Sequence, residues 1–138
     1  MALQERVTSF GMTLCYLRPV DSSHRERRDE LIASLHEVSA AIKALMQRFD
    51  DLEYVTHDTI ERLEGGATAL SLAASMGLAE RRQILNVGVE RVRKARHELL
   101  RTMFLLAVDE GASRAEIARV WHVSRQLVSR MTGEEPEG

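Results

Sequence analysis

Side chains able to do chemistry are sparse in this sequence and mostly scattered. The five histidines, His24, His36, His57, His97 and His122, form no H-x-x-x-H or H-E-x-x-H pair, and Cys15 is the only cysteine, so no metal site is written here. Gly65-Gly66 lacks the Lys-Ser/Thr of a phosphate loop and reads as a helix stop. Cys15 has no basic partner near it in sequence and reads as a small hydrophobe. No catalytic constellation emerges, and neither enzyme nor cofactor is expected. What remains is a cluster near the C-terminus: Arg125, Gln126, Ser129 and Arg130, with Ser124 just ahead of them. Arginine can donate two hydrogen bonds to guanine O6 and N7, and glutamine can pair with adenine N6 and N7, so these are side chains suited to reading base edges.

The charge distribution agrees with that chemistry. The chain is 138 residues long with a formal charge of −2, but the charge is unevenly spread. Residues 1–90 carry 10 basic and 14 acidic side chains, residues 91–131 carry 9 basic and 4 acidic, and Glu134, Glu135 and Glu137 close the chain. A basic segment in a mildly acidic protein is a candidate polyanion-binding surface when a motif lies beside it.

The motif is 111–131, GASRAEIARVWHVSRQLVSRM. Ser113 with Glu116 fits a capping box that starts a short helix. Ile117 and Trp121 face inward four residues apart, and Ala118 between them is small enough for close approach. Val123 anchors a turn, Ser124 caps a second helix, and Val128 and Met131 point inward. The preceding segment, with Met103, Leu106, Ala107 and Val108, supplies a third wall and stops at Gly111. This pattern resembles the bacterial helix-turn-helix of small transcriptional regulators, phage repressors and the DNA-binding domains of resolvases. The likeness covers 21 residues, or about 35 with the preceding helix. One position departs from it: the turn residue that is usually glycine in that family is His122. Histidine is among the non-glycine residues enriched at φ > 0, so the turn remains feasible. The resemblance implies that Ser124, Arg125, Gln126, Ser129 and Arg130 face bases. It also implies that Ser113, Arg114 and Arg119 contact phosphates where the first helix crosses the backbone.

Such a unit needs a scaffold, and composition says what kind. Hydrophobic residues make up 44% and aromatics only 4%, which calls for an aliphatic, helix-favouring core. Two prolines and eight glycines are too few for an all-β chain with its frequent turns. Between Val20 and Glu64 there is no Gly or Pro, Ser23 with Glu26 offers a capping box, and Gly65-Gly66 ends the run. Within it Leu31, Leu35, Val38, Ile42, Leu45, Phe49 and Leu52 follow 4-3 spacing, the seam of a coiled coil. Thr56, Thr59 and a cluster of acidic residues then interrupt the pattern, so a bend or break is expected between Phe49 and Asp58. Residues 67–76 read as a short helix that could line a pocket or pack closely, and Ala79–Asp109 as a third, long one. In the latter Leu85, Val92, Leu99 and Leu106 recur every seven residues, and Gly88 is a soft spot.

The expected fold is therefore all-α: a long amphipathic helical hairpin, coiled-coil-like and dimerising, followed by a helix-turn-helix three-helix cluster. The divisions are an N-terminal arm (1–22), a helical dimerisation region (23–96), a helix-turn-helix region (97–132) and an acidic tail (133–138). The Phe10–Leu17 stretch is too short and too lightly flanked for a signal peptide or membrane span. The expected protein is cytoplasmic and nucleoid-associated. Its expected function is sequence-specific binding of double-stranded DNA, as a homodimer that regulates transcription from a palindromic site. The same seam suits an adaptor or antitoxin-like module that engages another protein, since homodimer and heteromer look alike in one sequence. Operator, small-molecule effector and dimer orientation stay open.

Overall fold

The computed structural model describes residues 22–133. The predicted arm and acidic tail therefore lie outside the described residues, apart from Ser22 and Gly133, as does Cys15. Among the described residues every regular element is a helix: α1 (Ser22–Glu64), α2 (Ala69–Ser75), α3 (Leu78–Asp109), α4 (Arg114–Trp121) and α5 (Arg125–Met131). The fold is all-α. No helix among the described residues is long and apolar enough to cross a membrane.

α1 starts at Ser22, so the predicted cap Ser23 lies inside it. It runs unbroken for 43 residues, about 65 Å, which corrects the expected break between Phe49 and Asp58. The two threonines that weaken the apolar pattern do not divert the backbone. Thr56 Oγ1 donates to the Leu52 carbonyl (2.8 Å) and Thr59 Oγ1 to that of Val55 (2.6 Å), each one turn back in the same helix. The Arg62–Asp58 pair (3.0 Å) spans the next turn. α1 stops where sequence reading puts it: Gly66 has φ +94°, and the amide of Ala67 donates back to the Arg62 carbonyl (3.0 Å). Thr68 caps α2 by accepting from the Ser71 amide (3.3 Å), and buried Leu72 fixes this short helix to its neighbours. Gly77, at φ +59°, turns the chain into α3.

α1 and α3 lie side by side and antiparallel, since their contacts descend one as they ascend the other. His24 meets Glu110 (3.2 Å), Arg27 meets Asp109 (3.2 Å) and Thr59 at the far end reaches Met76 (3.4 Å). Midway, the Arg91 guanidinium grips Glu37 with two hydrogen bonds (2.9 and 3.2 Å) and holds that carboxyl below the usual glutamate range. The face of α1 turned to α3 comprises Leu31, Ser34, Val38, Ala41, Leu45 and Val55, all buried or half-buried. α3 answers with Leu85, Gly88, Val92, Ala95, Leu99 and Thr102. Gly88 is more than a soft spot: a Cβ there would sit 3.3 Å from Leu45 Cδ1, so the missing side chain lets the helices close up.

The predicted seam of α1 thus divides between two faces. Leu31, Val38 and Leu45 turn toward α3, whereas Leu35, Ile42, Phe49 and Leu52 are exposed.

α3 ends in the same manner as α1, with Gly111 at φ +96° and the Ala112 amide donating to the Ala107 carbonyl (2.9 Å). Its last turns then form a compact core with α4 and α5. Phe104 and Val128 are fully buried at its centre, with Ile117, Ala118 and Met131 around them.

Candidate nucleic-acid interface

α4 is started by the predicted capping box. Ser113 Oγ accepts from the Glu116 amide (3.2 Å), and Glu116 Oε2 accepts from the Ser113 amide (2.7 Å). That backbone hydrogen bond to the carboxylate, then one from the Ser113 hydroxyl to the same carboxylate and the nearby Arg119 charge, hold the Glu116 carboxyl below the ordinary glutamate range. A carboxyl lowered on folding stabilises the folded state above its unfolded pKa, and that contribution disappears as pH falls through the folded value. Acid titration is therefore expected to loosen the start of α4 as pH falls below the usual glutamate range. A Glu116→Gln variant should show a smaller loss of thermal stability over that interval.

The link from α4 to α5 is His122-Val123-Ser124. His122 takes the left-handed conformation (φ 53°, ψ 42°), as its place in the turn requires, and is the one non-glycine residue at positive φ among those described. The Val123 amide donates to the Ala118 carbonyl (3.0 Å), and the Val123 side chain packs on the core. A β-branched residue at position 122 would tolerate this backbone poorly. His122→Val is expected to cost about 1–2 kcal/mol, whereas His122→Gly should hold or raise the melting temperature. Thermal denaturation of the two variants checks this.

Ser124 then caps α5, its hydroxyl accepting from the Leu127 amide (3.1 Å). Arg125, Gln126 and Arg130 project from α5 as exposed side chains, and neither arginine is in an ion pair among the described residues. The opposite face of the same helix is closed by Val128 and Met131. Ser129 departs from expectation. It is half-buried, the least exposed of the five predicted base-facing residues.

On α4, Arg119 is exposed, while Arg114 is half-buried and donates from Nε to Thr132 Oγ1 (3.4 Å). Arg114 thus also ties the start of α4 to the end of α5. Trp121, expected inward, is 42% exposed. Its ring still meets that of Phe104 in a T-shaped contact, with centroids 5.7 Å apart at 73°. Two residues that position this surface escape sequence reading: Thr132, which links both helices, and Phe104, which carries their shared core.

Among the described residues no group of three or more His, Cys, Asp or Glu is arranged to hold a metal ion. Comparison with family models, with curated proteins and with solved structures gives no match.

Proposed function

We propose that this chain binds double-stranded DNA sequence-specifically, as a homodimer that regulates transcription from a palindromic site. The last turns of α3 with α4 and α5 act as a helix-turn-helix, and the α1/α3 hairpin is the dimerising region. The observation that carries the reading is α5 itself. It is a short helix capped by Ser124, with one face in the core and with Arg125, Gln126 and Arg130 exposed on the other. A helix so mounted can enter the major groove with its arginines and glutamine toward base edges. Ser113 and Arg119, with Arg114, lie on the flanking helix, where phosphate contacts would set the docking.

Arg125→Ala and Arg130→Ala are expected to weaken specific binding by about 1–3 kcal/mol each while leaving random-sequence affinity nearly unchanged. Arg119→Ala should weaken binding to all sequences and reduce the salt dependence. Fluorescence anisotropy on an operator selected from a random duplex pool, beside a scrambled duplex, measures both; equal losses on the two duplexes for all three variants contradict the assignment.

A second reading, a protein-interaction module, is favoured by one observation: the exposed apolar residues of α1, which suit a different chain as well as a copy of this one. The mass of the purified protein in solution separates the two, because a stable homodimer fills that surface.

A further inference from the structure

α1 carries two apolar stripes, and α3 covers only one of them. The uncovered stripe holds Ile32, Leu35, Ile42, Met46 and Phe49 and, beyond Glu53 and Thr56, Ile60 and Leu63; these seven side chains are between 42% and 60% exposed. With Ser39, Glu53 and Thr56 included, the positions step 3, 4, 3, 4 without interruption from 32 to 63, a heptad repeat over four and a half heptads. At 100° per residue its centre lies roughly 100° around the helix from the face that meets α3. That is the angle between the two neighbours of a helix in a four-helix bundle.

α3 offers no matching stripe. Its exposed Ile84 and Val87 give way to Arg91, Lys94 and Glu98 along the same face, and Val89 is followed by Arg93 and Arg96. Among the described residues, the surface that complements the α1 stripe in length and character is therefore another α1. Covering seven half-exposed side chains removes roughly 600 Å² from each copy, about 1,200 Å² in all, which reaches the lower edge of stable protein interfaces.

Charge selects the orientation. Residues 48–64 hold six acidic side chains against Arg48 and Arg62, whereas residues 31–47 hold only Glu37 and Lys43. Parallel pairing would lay one acidic half on the other and set Glu53 against Glu53. Antiparallel pairing lays each acidic half on a neutral one, which avoids like-charge juxtaposition. We infer that a second copy of this chain packs antiparallel on the exposed α1 stripe, with the two-fold axis passing between residues 47 and 48. In that register Ile32 meets Leu63 of the second copy, Leu35 meets Ile60, Ser39 meets Thr56 and Met46 meets Phe49. Lys43 comes beside Asp50, and Ile42 against Glu53 is the one mismatch.

The arrangement bears on the DNA-binding reading and, for this consequence alone, rests on it. The α4–α5 unit sits at the end of the bundle where His24 and Arg27 meet Glu110 and Asp109. That end lies about 24 residues from the two-fold axis, so the two units stand about 70 Å apart at 1.5 Å per residue. This is close to two turns of B-DNA and predicts half-sites centred about 20–21 base pairs apart.

Disulfide trapping tests the pairing on the full chain in a Cys15→Ser background. Leu35→Cys and Ile60→Cys proteins are oxidised separately and after mixing and re-equilibration, with helicity checked by circular dichroism. The expected result is that neither variant links to itself and the mixture yields the linked Leu35→Cys/Ile60→Cys dimer as its main product. Efficient self-linking of Leu35→Cys would show parallel pairing, and a monomeric mass for the unmodified protein would show that the stripe does not pair with itself; either overturns the inference. A trapped antiparallel dimer that fails to bind DNA would leave the pairing standing and remove the DNA-binding reading.

Discussion

Phe104→Ala is expected to unfold the C-terminal unit and to abolish DNA binding, although Phe104 lies in the interior, away from the proposed DNA-facing side chains. The ring is fully buried between α3, α4 and α5, and the cluster around it contains only four other buried residues, Ile117, Ala118, Val128 and Met131. Deleting a buried phenylalanine side chain costs about 3–5 kcal/mol through lost transfer energy and the cavity left behind. α4 and α5 have 8 and 7 residues, too short to persist without this packing. The edge contact to Trp121 vanishes with the ring, so indole fluorescence should report the change directly. The α1/α3 pairing has its own seam and ion pairs. Far-ultraviolet circular dichroism should therefore retain most of its helical signal while the tryptophan signal becomes that of a solvated indole. Retention of full DNA affinity by Phe104→Ala would contradict the proposed link between this core and the recognition surface.

The double substitution Ile42→Glu and Phe49→Glu is expected to convert the proposed dimer to monomers without unfolding them. Both side chains are exposed on the uncovered stripe, so the change spares the face that packs on α3. In the antiparallel register the carboxylate introduced at position 42 would meet Glu53 of the second copy, and the one introduced at position 49 would be buried against Met46. Like-charge contact and desolvation of unpaired carboxylates together cost several kcal/mol, which corresponds to a dimer dissociation constant raised by about 100-fold or more. Sedimentation velocity measures the mass and thermal denaturation the fold. DNA affinity should fall with dimerisation, because each monomer then engages a single half-site. A double variant that remains dimeric would locate the interface elsewhere.

How much of the molecule is legible in its sequence depends on how sharply each residue type restricts its position. The α4–α5 unit is readable nearly residue by residue. Ser113 with Glu116, and Ser124, stand at the spacing of helix caps just ahead of short apolar-patterned runs, and His122 stands at the turn position where positive φ is needed. Phe104 escapes because Met103–Val108 is apolar at every position, and periodicity cannot select one face from a continuous run. The seam of α1 is misallocated by spacing for a related reason. Apolar residues cover a wide arc of that helix, and a single 4-3 path can be drawn across two faces. The true contact with α3 uses Ser34, Ala41 and Gly88, small residues that carry little hydrophobic signal but permit close approach. The expected break near residue 55 treats the threonines and acidic side chains as helix weakeners. The threonine hydroxyls instead bond to the helix's own carbonyls, and the exposed acids Asp50, Asp51 and Glu53 disturb no buried contact.

The proposed DNA-binding function depends on the exposed face of α5 reading DNA. The most direct test is a salt titration of binding to short duplex DNA by the unmodified protein, with Arg125→Ala and Arg130→Ala beside it. Affinity is expected to fall steeply and log-linearly with salt, through release of counterions from the phosphates, and both variants should bind the selected operator more weakly at every salt concentration. Absence of binding at low salt, or operator binding unchanged in both variants, would contradict the DNA-reading role and leave the uncovered stripe of α1 as the working surface of the molecule.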